Sequence, residues 1–139
     1  TRFVMTEESN VHPKFKEAFI RANARDAIST PQYDSKLPVV AVRALRNRGT
    51  AEFGALQLRL LKELEAGNIH RQEAQEEVEK FWIGALRRAA VDGDIEMGSL
   101  MAGQSVGLVD KVLSIGELLT ELLTDAEKEL AAVRRKLGC

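Results

Sequence analysis

The chain has 139 residues, 29% of them charged and 45% apolar, with 20 basic against 21 acidic side chains and a net charge of −1. That balance excludes a global field for nucleic acid or an anionic membrane surface, and the apolar runs are too short and too often broken by charge to form a transmembrane helix or signal peptide within these residues. The single cysteine, Cys139 at the last position, excludes an internal disulfide framework and points to a reducing, cytoplasmic setting.

In chain order, Arg2-Phe3-Val4-Met5 reads as one short buried strand, followed by a polar turn from Thr6 to Asn10. A helix is predicted from about Asn10 to Asn23. Pro13 falls in its first turn, where a missing amide proton does no harm, and Phe15, Ala18, Phe19 and Ala22 share a face. His12 reads as a surface or cap-side residue. Ala27 to Thr30 is β-like, Pro31 to Pro38 is loop-like with a lone Tyr33, and Val39 to Val42 leads into Arg43-Ala44-Leu45-Arg46-Asn47-Arg48, with Gly49 as a C′ residue. Three arginines in six residues read either as a solvated helix face or as contacts for an anionic partner.

Thr50 is expected to cap a helix carrying Phe53, Leu56, Leu60, Leu61 and Leu64, closed by Gly67-Asn68. A second helix, about Arg71 to Ala90, presents Ala74, Val78, Phe81, Trp82, Ala85, Leu86 and Ala89 and completes a helical hairpin. Phe81 and Trp82 read as core, with the wall of a substrate tunnel as the other reading. His70 has no acidic or cysteine neighbour at metal-ligand spacing. Asp92, Asp94 and Glu96 alternate around Gly93 but lack the remaining ligands of a calcium loop. Ser114-Ile115-Gly116-Glu117 is a capping box for a long amphipathic helix ending at Arg134-Arg135-Lys136 and Gly138, with a bend or restart expected at Thr124 to Glu127.

The stretch around which the chain is organised is Gly98-Ser99-Leu100-Met101-Ala102-Gly103-Gln104-Ser105-Val106-Gly107-Leu108-Val109. Ser99 suits an N-cap and predicts a helix start. Gly103 and Gly107 inside that helix would each cost about 1 kcal/mol relative to alanine. Close packing against another backbone, or a ligand across the helix start, must offset the cost.

Gly93-Asp94-Ile95-Glu96-Met97-Gly98 continuing into this stretch resembles the GD-x-E-x-G-S-x-M-A-G-Q-x-x-G-L-V segment of the FMN-dependent enoyl-acyl-carrier-protein reductases and the related nitronate monooxygenases. Thr1-Arg2-Phe3 with Glu8-Ser9-Asn10, and Arg43-Ala44-Leu45-Arg46-Asn47, are similar to two further motifs of that family in the same order. The resemblance implies a mainly α chain with one or two short N-terminal strands. This would be the C-terminal portion of a flavin-binding (β/α)8 barrel plus its inserted helical lid, since a complete barrel takes about 250 residues. Residues 1–24 would then end the barrel, 25–95 would form the lid and 96–139 would close the barrel.

The same resemblance implies FMN and NAD(P)H as cofactors of the complete enzyme and reduction of enoyl-acyl thioesters in fatty acid synthesis as its activity, with nitronate oxidation by oxygen as the alternative. It implies cofactor-binding roles for Thr1, Met101, Ala102, Gly103 and Gln104, and no catalytic residue or metal ligand within the chain. The implied partners are an acyl thioester, an acyl carrier protein meeting the Arg43 to Arg48 bases, and either a second copy or the missing N-terminal part. No nucleophile elbow, phosphate loop or metal cluster is present in the sequence. Without the resemblance, the residues describe only a soluble, mostly helical domain, and a helical interaction module with no chemistry of its own is the third functional reading.

Overall fold

The computed structural model describes residues 1–138; Cys139 lies outside the described residues. A 3₁₀ turn, Arg2–Met5, precedes helix α1 (Pro13–Arg21), a second 3₁₀ turn (Ala24–Asp26) and the short strands β1 (Ala27–Ser29) and β2 (Arg43–Leu45). Helices α2 (Arg48–Glu65), α3 (Arg71–Trp82) and α4 (Ala85–Ala90) follow, then a third 3₁₀ turn (Gln104–Leu108) and α5 (Ile115–Leu137). The strands pair antiparallel, with Ala27, Ile28 and Ser29 opposite Leu45, Ala44 and Arg43.

Arg2–Met5 is therefore not the expected strand. A strand needs neighbours for its amides and carbonyls, and among the described residues this run has none until Thr6, which makes a single parallel bridge to Leu113. The run coils instead: the Thr6 hydroxyl donates to the Phe3 carbonyl at 3.1 Å, and Met5 is buried.

α1 starts where Pro13 can occupy its first position, and His12 is its cap, with Nδ1 accepting from the Lys14 amide at 3.2 Å. Phe15 and Phe19, four residues apart, face the same way and stack with centroids 4.6 Å apart. α2 is capped not by Thr50 but three residues earlier. Asn47 Oδ1 accepts from the Thr50 amide at 2.9 Å while Thr50 Oγ1 accepts from the Asn47 amide at 3.0 Å. Gly49 accordingly sits inside the helix, because the reciprocal Asn47-Thr50 box satisfies free first-turn donors.

α2 and α3 form the hairpin, turning at Gly67 with φ +72°. The expected second helix of the hairpin is two helices: Gly84 adopts φ +75°, which α-helical backbone does not tolerate, and the chain changes direction between Trp82 and Ala85. α5 begins at the Ser114 box and runs unbroken through Thr124 to Glu127, ending at Gly138 with φ +70°.

The apolar side chains gather into two clusters. One joins Met5, Phe15, Phe19, Ala27, Leu45, Ala89, Leu100, Ala102, Val106 and Val109, so it draws on α1, both strands, α4 and the stretch after Gly98. The other is the hairpin's own, with Leu37, Phe53, Leu60, Ala74 and Val78; Phe53 lies against both Phe81 and Trp82, at 5.4 and 4.8 Å between centroids. The Phe81-Trp82 pair thus edges this core, as its helical spacing predicts.

α5 meets the rest of the chain at its N-terminal end, where Leu118 is its one buried residue. Its first amide, that of Ile115, donates to the Glu8 carboxylate at 3.0 Å. Glu121 pairs with Arg2, and with Lys111 at 3.1 Å; hydrogen bonds from Arg2 and then Lys111 hold its carboxyl below the usual carboxylate range.

Candidate functional site

The Ser99 to Gly103 stretch does not fold as a helix. The Ser99 amide donates to the Ala85 carbonyl at 2.9 Å, the Leu45 amide to the Leu100 carbonyl at 2.9 Å, and the Ala102 amide to the Arg43 carbonyl at 3.1 Å. Met101 bridges Ala44 antiparallel. The stretch is thus an extended segment on the outer edge of β2. It pairs there because β2 has a row of free backbone groups on that side, and a buried polar backbone finds partners before it follows propensity.

Extension gives the side chains a period of two. Leu100 and Ala102 point into the core, while Met101 is 46% exposed and Gly103 and Gln104 are exposed. Gly103 has extended backbone (φ −80°, ψ 170°) and caps the 3₁₀ turn that follows. The two glycines serve different ends. A Cβ on Gly107 would lie 2.6 Å from the Ala24 backbone nitrogen, a close approach that requires glycine, whereas a Cβ on Gly103 would meet nothing nearer than Ser105 Oγ at 3.7 Å. Met101 and Ser99 border an apolar groove of about 240 Å³ whose other walls are Val40, Val42, Trp82, Ala85 and Leu86. Trp82 therefore lines a groove as well as the hairpin core, whereas Phe81 does not border that groove.

The turn before this segment is held by Asn47. Its Nδ2 donates to the Ile95 and Gly98 carbonyls, both at 2.8 Å, while its Oδ1 caps α2, so one side chain ties the helix start to the approach of the segment. Asp94 shapes the same turn, Oδ1 accepting from the Glu96 and Met97 amides at 3.2 and 2.9 Å. A Cβ on Gly98 would fall 2.3 Å from the Asp94 carbonyl oxygen and one on Gly49 would fall 2.8 Å from that of Met97, so glycine is required at both. Among the described residues, no cluster of His, Asp or Glu is arranged to hold a metal ion.

Thr1 lies exposed at the start of the first 3₁₀ turn and its side chain makes no cap bond there. Among the described residues, no hydrogen bond links it to Met101–Gln104. The arginine run is divided by the fold: Arg43 donates to the Ala27 carbonyl at 2.8 Å and Arg48 to Glu52 at 2.6 Å, while Arg46 borders a shallow cleft with Arg21, Asp26 and Glu96. His70 caps α3, its amide donating to Glu73 at 2.8 Å. Two structural residues were hidden as motif letters: Asn47, the final residue of the R-A-x-x-N pattern, and Glu8, the first of E-S-N. The signal was their place in the motifs; the bonds they make span 48 to 107 positions and have no local signature.

The sequence profile of the nitronate monooxygenase family matches residues 1–125. The chain belongs to that family. Among solved structures it is similar to FabK from Thermotoga maritima, with 32% identity and a TM-score of 0.73 over 96% of this chain and 37% of that one. A mutant of that FabK matches at 28% identity and a TM-score of 0.66, covering 96% and 34% of the two chains. No curated protein matches. The chain thus spans about a third of the length of these solved relatives, and the family is one of oxidoreductase enzymes.

For this family the group to accommodate is a flavin. The exposed edge Met101-Gly103-Gln104 suits one: Gly103 leaves its backbone open on the outer side, Met101 offers an apolar face, and Gln104 carries both a donor and an acceptor. The free Thr1 hydroxyl suits a phosphate oxygen.

Proposed function

We propose that this chain is the C-terminal part of an FMN-dependent NAD(P)H oxidoreductase that reduces the enoyl double bond of a fatty-acyl thioester. The observation that carries the reading is the 32% identity to FabK, an enoyl-ACP reductase II, over 96% of the chain. When bound, FMN supplies the hydride chemistry. In this reading Thr1 contributes to holding the phosphate, where such barrels bind phosphate at the C-terminal ends of their last strands, and Met101 to Gln104 form one wall for the ring. Ala102 faces the core and acts by keeping that wall flat against β2.

The hairpin of α2 and α3 is the lid in this proposal, and the groove between Met101 and Trp82 receives the acyl chain. Its walls are apolar, so it excludes water from a hydrocarbon tail. Of the three clustered arginines, Arg43 and Arg48 already serve internal partners, so contact with an acidic acyl carrier would run through Arg46.

The family profile supports a second reading, oxidation of alkyl nitronates with the same flavin and oxygen. Steady-state kinetics of the full-length enzyme separates the two. NAD(P)H oxidation driven by an enoyl thioester supports the first, and oxygen uptake with an alkyl nitronate in the absence of NAD(P)H supports the second. Neither activity, together with no bound flavin, overturns both and returns the chain to a helical interaction module.

A further inference from the structure

Thr6 closes the first 3₁₀ turn, and a lysine from α1 holds Thr6. The Thr6 amide and hydroxyl both donate to the Phe3 carbonyl, at 3.4 and 3.1 Å, which ties the end of Arg2–Met5 back onto its middle. The Thr6 carbonyl accepts from the Ser9 amide at 3.2 Å and from Lys16 Nζ at 2.7 Å. Both lone pairs of that oxygen are thus used, and Thr6 itself is buried. The reach of Lys16 follows from the helix. It lies in the first half of α1, and a long side chain on a helix points back toward the N-terminal end, here toward the residues that precede α1.

Lys36, Lys80, Lys111 and Lys128 each reach a carboxylate. Lys16 has no carboxylate partner among the described residues and directs its half-buried ammonium at a backbone carbonyl instead. A hydrogen bond from a charged donor is roughly twice as strong as a neutral one. It also leaves a positive charge unneutralised beside the turn that Thr1 begins, of the sign a phosphate favours.

We propose that Lys16 is a positioning residue for the flavin phosphate: through the Thr6 carbonyl it fixes the Arg2–Met5 turn, and with it Thr1, in the conformation that takes the phosphate. The proposal rests on the phosphate-holding role given to Thr1 above. A turn that is already fixed binds without the cost of ordering it, so Lys16 acts before the ligand arrives. The bonds that do this join Lys16, Thr6 and Phe3 of the same chain, and they form without any further segment of the protein.

The test compares FMN with riboflavin, the same ring system without the phosphate. Dissociation constants of both for the flavin-free full-length enzyme are read from flavin fluorescence, beside the melting temperature of each flavin-free variant. The native enzyme should bind FMN the more tightly. Lys16→Met, which keeps the stem and loses the donor, should weaken FMN about tenfold or more and leave riboflavin within about twofold. Lys16→Arg, which keeps a charged donor, should restore most of the preference. Thr6→Val, close in shape but without the hydroxyl that reaches Phe3, should lower the preference in the same sense. Gly67→Ala is the control: it strains the hairpin turn, where φ is +72°, and should lower the melting temperature without changing the ratio.

A native enzyme that binds riboflavin as tightly as FMN, or binds neither, overturns the role of Thr1 and this proposal with it. A native preference for FMN that Lys16→Met leaves intact, or a loss of both flavins in equal proportion, overturns the role of Lys16 and leaves that of Thr1 standing. If Lys16→Met does not fold, the ratio in Thr6→Val decides: lowered, it supports the proposal; unchanged, it overturns it.

Discussion

Asn47 Nδ2 donates to the Gly98 carbonyl at 2.8 Å across 51 positions of sequence, and through that bond the start of α2 and the approach to the Met101 segment form one rigid unit. The same side chain holds Ile95 and caps α2, so its loss acts at three places at once. Asn47→Ala is expected to cost about 2–4 kcal/mol, from a lost cap and two stranded carbonyls. Asn47→Asp keeps an acceptor for the Thr50 amide but turns an oxygen toward two carbonyls, so it should not rescue. Urea unfolding midpoints of the three proteins check this; an Asp variant as stable as the native chain would remove the clamp from the account.

Gly93 and Gly67 share a φ of +72° but differ in surroundings. A Cβ at Gly93 would lie 2.5 Å from the His12 ring, while one at Gly67 meets nothing within 4 Å. Gly67→Ala should therefore cost about 1–2 kcal/mol, the left-handed conformation alone, and Gly93→Ala distinctly more. Adding His12→Ala to Gly93→Ala should recover the steric part; thermal unfolding of the single and double variants measures it.

Gly103 and Gly107 offer a further contrast. Gly107→Ala meets the Ala24 backbone at 2.6 Å and is expected to destabilise the chain by about 1–3 kcal/mol, whereas Gly103→Ala, with open space around it, should stay within about 0.5 kcal/mol. If the outer edge of Gly103 faces the flavin ring, Gly103→Ala in the full-length enzyme should lower flavin content while the melting temperature of the flavin-free protein is unchanged. Flavin absorbance per protein, read beside calorimetry, decides the matter. This chain alone is expected to show no stoichiometric flavin band, because one edge and one hydroxyl do not enclose the ligand.

Acid should loosen the root of α5. Glu121 is held below the usual carboxylate value of 4.5 by Arg2 and Lys111, and Glu117 by the Ser114 hydroxyl and amide. A depressed carboxyl contributes stability that is fully present above its unfolded value and is lost as pH falls through its folded value. The docking of α5 is thus expected to hold at pH 5 and above and to weaken progressively below about 4.5. Amide exchange at Ile115 to Leu118 as a function of pH tests this, and Glu121→Gln should flatten the profile.

Local chemistry legible in the sequence made α1, the hairpin and α5, because Pro13, Gly67, Gly138 and the Ser114-Glu117 box act within a few residues of themselves. The family was legible too, since three motifs survive in order over most of the chain. Tertiary structure alone decided the segment that matters most. Ser99 suits a helix cap, but β2 exposes an edge whose carbonyls and amides match those of Leu100 and Ala102, and satisfying that buried edge outweighs a local cap. The fate of Arg2–Met5 turned on the same question in reverse: an apolar run with no neighbouring strand among the described residues has nothing to pair with, and it coils. Periodicity reports which way a side chain faces, whereas the partner of a backbone hydrogen bond depends on what the rest of the chain brings alongside.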